Sequence, residues 1–140
     1  MNGAPKPKHY KDLLIWQRSM GLAKIVYQVT KGFPPEERYG LTSQLRRAAV
    51  SIPSNIAEGQ ARKGTSEFLQ FLSVATGSLA ELETQLLLSV ELAYCKQIEV
   101  DPLLQEIDEL QKMIVALRRR LGSFSPLATR HSPLRSAEPH

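Results

Sequence analysis

Three groups of cationic residues are the clearest chemical pattern in this chain: Arg46-Arg47, Arg62-Lys63 and Arg118-Arg119-Arg120. A guanidinium is charged at every physiological pH and presents a planar fork of donors that matches phosphate oxygens, so grouped arginines suit recognition of a nucleic-acid backbone. The same residues also have a local use. Cations in the last turn of a helix interact with its dipole at about 0.3–1 kcal/mol each, which accounts for part of the Arg118 to Arg120 run. A single copy of so small a patch would hold RNA or DNA weakly. A symmetric assembly would repeat the patch and add phosphate contacts through counterion release.

Catalytic and metal-binding chemistries find no matching pattern. The histidines are His9, His131 and His140, close to the two ends of the chain, so no interior helix carries an imidazole. The inward Glu-x-x-His pair of di-iron bundles is absent. Zinc needs clustered Cys or His, and a nucleophilic Cys-His dyad needs a folded histidine, whereas Cys95 is alone. Gly59 and Gly64 bracket Arg62-Lys63 without the lysine-serine/threonine ending of a phosphate loop. Glu58, Glu67, Glu81 and Glu83 admit a carboxylate site, but solvated helix surface and ion pairs explain them more simply. No enzyme, cofactor or metal is expected.

The segment Ser51-Ile52-Pro53-Ser54-Asn55-Ile56-Ala57-Glu58-Gly59 places a proline among apolar residues at helical spacing. Proline inside a helix removes one donor and presses on the carbonyl four residues back, at about 3 kcal/mol. The segment is therefore either a helix boundary or a kink. Ser51 and Ser54 flank the ring, where their hydroxyls can satisfy backbone groups it leaves unpaired, and Asn55 can reach across to another helix. A kinked helix with local hydrogen bonds accounts for these residues more simply than a ligand site does.

The elements that position these residues follow from composition and periodicity. A chain of 140 residues, 42% hydrophobic and 23% charged, suits one globular domain, and aromatics at 6% favour aliphatic helix packing. A net charge of +4 and a pI near 9.4 fit a polyanionic partner. One cysteine allows no internal disulfide, which points to a reducing cytoplasm. The first residues carry no apolar run for a signal peptide and no stretch reaches membrane-spanning length, so the expectation is a cytoplasmic protein with no membrane contact.

Four helices are predicted. The first, over about 11–31, carries Leu13, Trp16, Met20, Ala23 and Tyr27 every three or four positions with Ile15, Leu22, Val26 and Val29 beside them, a broad buried face, and stops at Gly32 and Pro34-Pro35. The second runs over about 42–61, after a turn at 36–39, and the third over about 65–95. The fourth opens with Asp101 as N-cap and Pro102 at the first helical position, then shows a seam of Leu103, Ile107, Leu110, Ile114, Leu117 and Leu121 before Gly122. Short connections favour antiparallel neighbours, giving an all-α, up-and-down four-helix bundle over 10–122. Residues 1–9 are expected to be a flexible N-terminus and 123–140 a disordered tail rich in Ser, Pro and Arg.

Two helices carry more apolar surface than one bundle needs. On the third, Phe68, Leu72, Ala75, Leu79, Leu82 and Leu86 form the core seam, while Ser73, Gly77, Ala80 and Thr84 make a separate stripe of small residues with Phe71 and Val74 alongside. Glycine in mid-helix costs about 1 kcal/mol relative to alanine, so Gly77 suggests close approach of a neighbouring backbone. On the second, Leu45, Ala48, Ala49, Ile52, Ile56 and Gly59 make the core side, with Val50, Pro53 and Ala57 on another stripe. Val50, Pro53, Ala57, Phe71, Val74, Gly77 and Ala80 are thus candidates for a subunit interface, irregular packing within one core being the alternative.

The Ser51 to Gly59 segment with Arg62, then Glu67-Phe68, Phe71-Leu72 and the run Gly77-Ser78-Leu79-Ala80-Glu81-Leu82-Glu83-Thr84-Gln85-Leu86, resembles the bacterial four-helix bundle proteins encoded by intervening sequences in 23S rRNA genes. Tyr10-Lys11-Asp12-Leu13 with Trp16-Gln17 is similar to that family's first helix, so the resemblance covers about 10–121. It implies the bundle fold, a ring-like homopentamer and no catalytic residues. It also implies a relationship to the accessory variability determinant of diversity-generating retroelements, a basic pentameric bundle that binds nucleic acid and a reverse transcriptase. The resulting expectation is a non-enzymatic scaffold or binding protein whose partners are its own copies and RNA or DNA. The alternative is a structural module whose ring serves a protein partner.

Overall fold

The computed structural model describes residues 9–122; the expectations for 1–8 and for the tail 123–140 lie outside the described residues. Four helices make up this region, α1 (Leu14–Thr30), α2 (Leu41–Ala61), α3 (Thr65–Glu91) and α4 (Gln97–Gly122), with no strand among the described residues. Short 3-10 turns at Tyr10–Asp12 and Pro35–Glu37 lead into α1 and α2. Each helix packs on its neighbours in sequence and α4 closes back on α1, which makes an antiparallel four-helix bundle.

The core is the meeting of four apolar seams. Every residue of the α3 seam, Phe68, Leu72, Ala75, Leu79, Leu82 and Leu86, is fully buried, and so are the seams read for α2 and α4, to within a few per cent. Helix α1 meets its expected face in part. Ile15, Leu22, Ala23 and Val26 are buried as expected and Ser19 and Thr30 join them, while Met20 and Tyr27 stay 47% and 41% exposed. Hydroxyl bonding admits the two polar residues. Ser19 Oγ donates to the Trp16 carbonyl at 2.9 Å and Thr30 Oγ1 to the Val26 carbonyl at 2.8 Å, so two polar residues enter the core with their hydrogen bonds made.

The helix ends also depart from expectation. Helix α3 stops at Glu91 rather than near Cys95, because Ala93 adopts φ 63°. Tyr94 N then donates to the Ser89 carbonyl and Ala93 N to the Val90 carbonyl, both at 2.9 Å, the double bond of a Schellman stop. Helix α4 begins at Gln97, four residues before the Asp101 cap that spacing suggests. Glu99 reaches back to accept from Lys96 N at 2.8 Å, which starts the helix earlier and leaves Pro102 inside it. The carbonyl that Pro102 leaves without a helical donor belongs to first-turn Ile98, which is 75% exposed and open to water.

Helix α2 runs through Pro53 without interruption. The flanking hydroxyls do not repair the backbone as expected. Ser51 Oγ pairs across the interface with Ser78 Oγ of α3 at 2.7 Å, and Asn55 Nδ2 folds back to the Ser51 carbonyl at 2.8 Å instead of crossing between helices. Ser51 thus makes the link to α3 that was assigned to Asn55, while Pro53 faces the other way, into a groove with α1. The close backbone approach lies at Gly59, where an added Cβ would stand 2.6 Å from Phe71 Cβ. At Gly77 nothing lies within 4 Å, so within one subunit that glycine answers no neighbour.

Candidate nucleic-acid interface

The antiparallel order divides the basic residues between the two ends of the bundle. Arg46 and Arg47, in the second turn of α2, lie at the end where α1 finishes. Arg62-Lys63 and Arg118 to Arg120 lie at the opposite end, where α2 and α4 finish.

Around Arg46 the chain builds a groove of about 570 Å³. The Pro35–Glu37 turn brings Arg38 and Tyr39 beside the first turns of α2, and Tyr27 of α1 forms the facing wall. Arg38, Arg46 and Arg47 line this groove with Thr42, Ser43 and Ser51, and no carboxylate is among its lining side chains. An adjoining depression of about 370 Å³ shares Arg38, Thr42 and Arg46 and adds Lys31. Two guanidinia lie over aromatic rings, Arg38 at 5.6 Å from the Tyr39 centroid and Arg46 at 4.5 Å from that of Tyr27. Arg46 is anchored further, donating to Thr30 Oγ1 at 2.9 Å and to the Tyr27 carbonyl at 3.4 Å. It therefore ties α2 to the end of α1 as well as supplying charge.

The neighbouring acid is drawn away from this surface. Glu37 accepts from Leu41 N at 2.8 Å, capping α2, and from the Tyr94 hydroxyl at 2.7 Å. These bonds, the backbone one foremost, hold its carboxyl below the usual range, and the same contact pushes the Tyr94 hydroxyl up.

At the other end the cations are partly committed. Arg62 donates to Glu58 at 2.8 Å and lies 5.0 Å over the Phe71 ring, while Lys63 is exposed beside it. Arg118 is half-buried and Arg119 and Arg120 are exposed in the closing turns of α4. Thr42 and Arg46 stand four residues apart on α2, a spacing that signals one shared side, whereas Arg38 precedes the helix. The contributions of Arg38, Tyr39, Lys31 and Tyr27 were missed because the turn between helices decides where they meet.

Comparison with known proteins identifies the family and the fold. The family model described as 23S rRNA-intervening sequence protein matches residues 11–116. The chain belongs to this family. Among solved structures, it is similar to a protein of unknown function from the S23 ribosomal protein family of Bacteroides thetaiotaomicron, with a TM-score of 0.67 and 20% identity over 75% of this chain and 98% of that one. At that identity the likeness supports the fold. No curated protein matches the chain.

In this member of the 23S rRNA-intervening sequence protein family, the interface candidates fall on two surfaces. Val50, Pro53 and Ala57 line a groove of about 480 Å³ with Trp16, Met20 and Tyr27 of α1, and this groove shares Val50 and Tyr27 with the basic one. Val74, Gly77 and Ala80 stand exposed on the outer side of α3, with Leu88 also 46% exposed, while half-buried Phe71 packs towards Gly59. No helix among the described residues is long and apolar enough to cross a membrane.

Proposed function

We propose that this protein is a non-enzymatic homo-oligomeric scaffold, pentameric as the family resemblance implies, that engages RNA or DNA through backbone electrostatics. The observation that carries the reading is the carboxylate-free groove of Arg38, Arg46 and Arg47, whose nearest sequence acid, Glu37, spends both oxygens on Leu41 N and Tyr94. A ring would repeat that groove around its axis. The two exposed apolar surfaces, the α1/α2 groove and the outer side of α3, supply the unlike halves of a heterologous contact, the kind that closes rings.

The test is titration of labelled RNA and DNA at several salt concentrations. Phosphate binding weakens linearly on a log-log plot, and each lost phosphate contact lowers the slope by about 1. Arg38→Ala with Arg47→Ala is the informative pair, because both side chains are exposed, whereas Arg46→Ala also breaks the tie to α1. A flatter slope in the double variant supports the reading. Absence of binding at low salt refutes it and leaves the alternative, a structural module for a protein partner.

A further inference from the structure

Among the described residues Tyr39 is the most exposed large hydrophobic side chain, at 88%. Its placement is fixed by what surrounds it. Pro34 and Pro35 stiffen the approach, Arg38 closes the 3-10 turn by donating its backbone N–H to the Pro35 carbonyl at 3.1 Å, and α2 starts three residues later. Glu37, bonded at both oxygens, pins the turn between the start of α2 and Tyr94. The ring therefore projects from a fixed turn at the mouth of the basic groove, which it shares with Arg38, Arg46 and Arg47.

Exposing a tyrosine ring forgoes the burial that normally stabilises it, and a ring beside guanidinia has a definite chemical use. Its face offers a stacking partner to a planar base, while the arginines meet the phosphates on either side of that base. A duplex keeps its base faces stacked inside and offers a protruding ring only phosphate and sugar. An unpaired nucleotide offers both. From this juxtaposition we infer that the groove takes single-stranded nucleic acid, with an unpaired base stacked on Tyr39 and its flanking phosphates held by Arg38 and Arg47. The inference rests on the nucleic-acid reading above and narrows it to strand type. RNA and DNA share the chemistry it uses.

The experiment measures anisotropy of a short labelled RNA, of the DNA of the same sequence, and of each annealed to its complement, against the full chain. The expected result is tighter binding of the single strands than of the duplexes. Tyr39→Ala weakens single-strand binding by about 5- to 100-fold and duplex binding far less, the latter only through loss of the ring over which Arg38 lies, whereas Tyr39→Phe keeps both affinities. Tyr39 makes no core contact that the substitution would remove, and an unchanged thermal midpoint verifies this. Equal affinity for duplex and single strand, or a Tyr39→Ala variant that binds as wild type, overturns the inference while leaving backbone binding intact. Failure of every probe at low salt overturns both readings together.

Discussion

At Glu37 a single carboxylate controls both the start of a helix and the charge of the neighbouring groove. Its bonds to Leu41 N and the Tyr94 hydroxyl hold its pKa below the ordinary 4.5, so the folded state favours the ionised form. The stabilisation is fully present above that ordinary value and is lost as pH falls through the lower, folded one. Glu37→Gln keeps the shape and removes the titration. Urea midpoints of wild type and E37Q should differ by a steady amount from neutral pH down to about 4.5 and converge in more acidic solution; a gap that persists unchanged well below 4.5 would rule the charge out as the cause. At this scale the sequence is legible only locally. Adjacent Arg46 and Arg47 announce themselves, but Arg46's partners Tyr27 and Thr30 lie sixteen or more residues away, on the far side of a chain reversal.

Helix pairing turns on how closely backbones approach, and two glycines of opposite circumstance measure it. At Gly59 a Cβ would stand 2.6 Å from Phe71 Cβ and 3.0 Å from Phe68 Cδ1, both on α3 close to its backbone and unable to swing away. Overpacking of this kind costs about 1–3 kcal/mol, against a gain of about 1 kcal/mol in helix propensity, so Gly59→Ala should lower the urea midpoint. At Gly77 the same change meets nothing within 4 Å and should raise the stability of an isolated subunit by up to about 1 kcal/mol. The reverse ranking of the two variants would refute this account of α2 against α3. Periodicity made the apolar seams of α2, α3 and α4 readable, while the polar residues buried beside them, Thr42, Gln60, Ser78, Gln85 and Ser89, carried no such signal. It missed Ser19 and Thr30 in the α1 core for the same reason, and the start of α4, where Glu99 rather than Asp101 turns back to the first amide.

For the whole molecule, the apolar surfaces left over by the bundle constrain how copies can meet. The α1/α2 groove, where Val50 and Met20 are exposed and Pro53 is buried at its floor, and the outer side of α3 with Val74 are different surfaces, so a contact joining one to the other is head-to-tail and can close a ring. Val50 and Val74 are 42% and 50% exposed, and charging either leaves the core untouched. Val50→Glu and Val74→Glu should each reduce the sedimenting species to a monomer with unchanged helical circular dichroism. Mixed together, the two variants retain one matched pair of surfaces, the groove of the V74E copy and the α3 side of the V50E copy. The mixture should therefore form a dimer and nothing larger. A groove-to-groove contact predicts otherwise, since V74E alone would then assemble as wild type does. A wild-type chain that sediments as a monomer would overturn the proposed ring, and with it the repetition that would give a small basic groove its avidity.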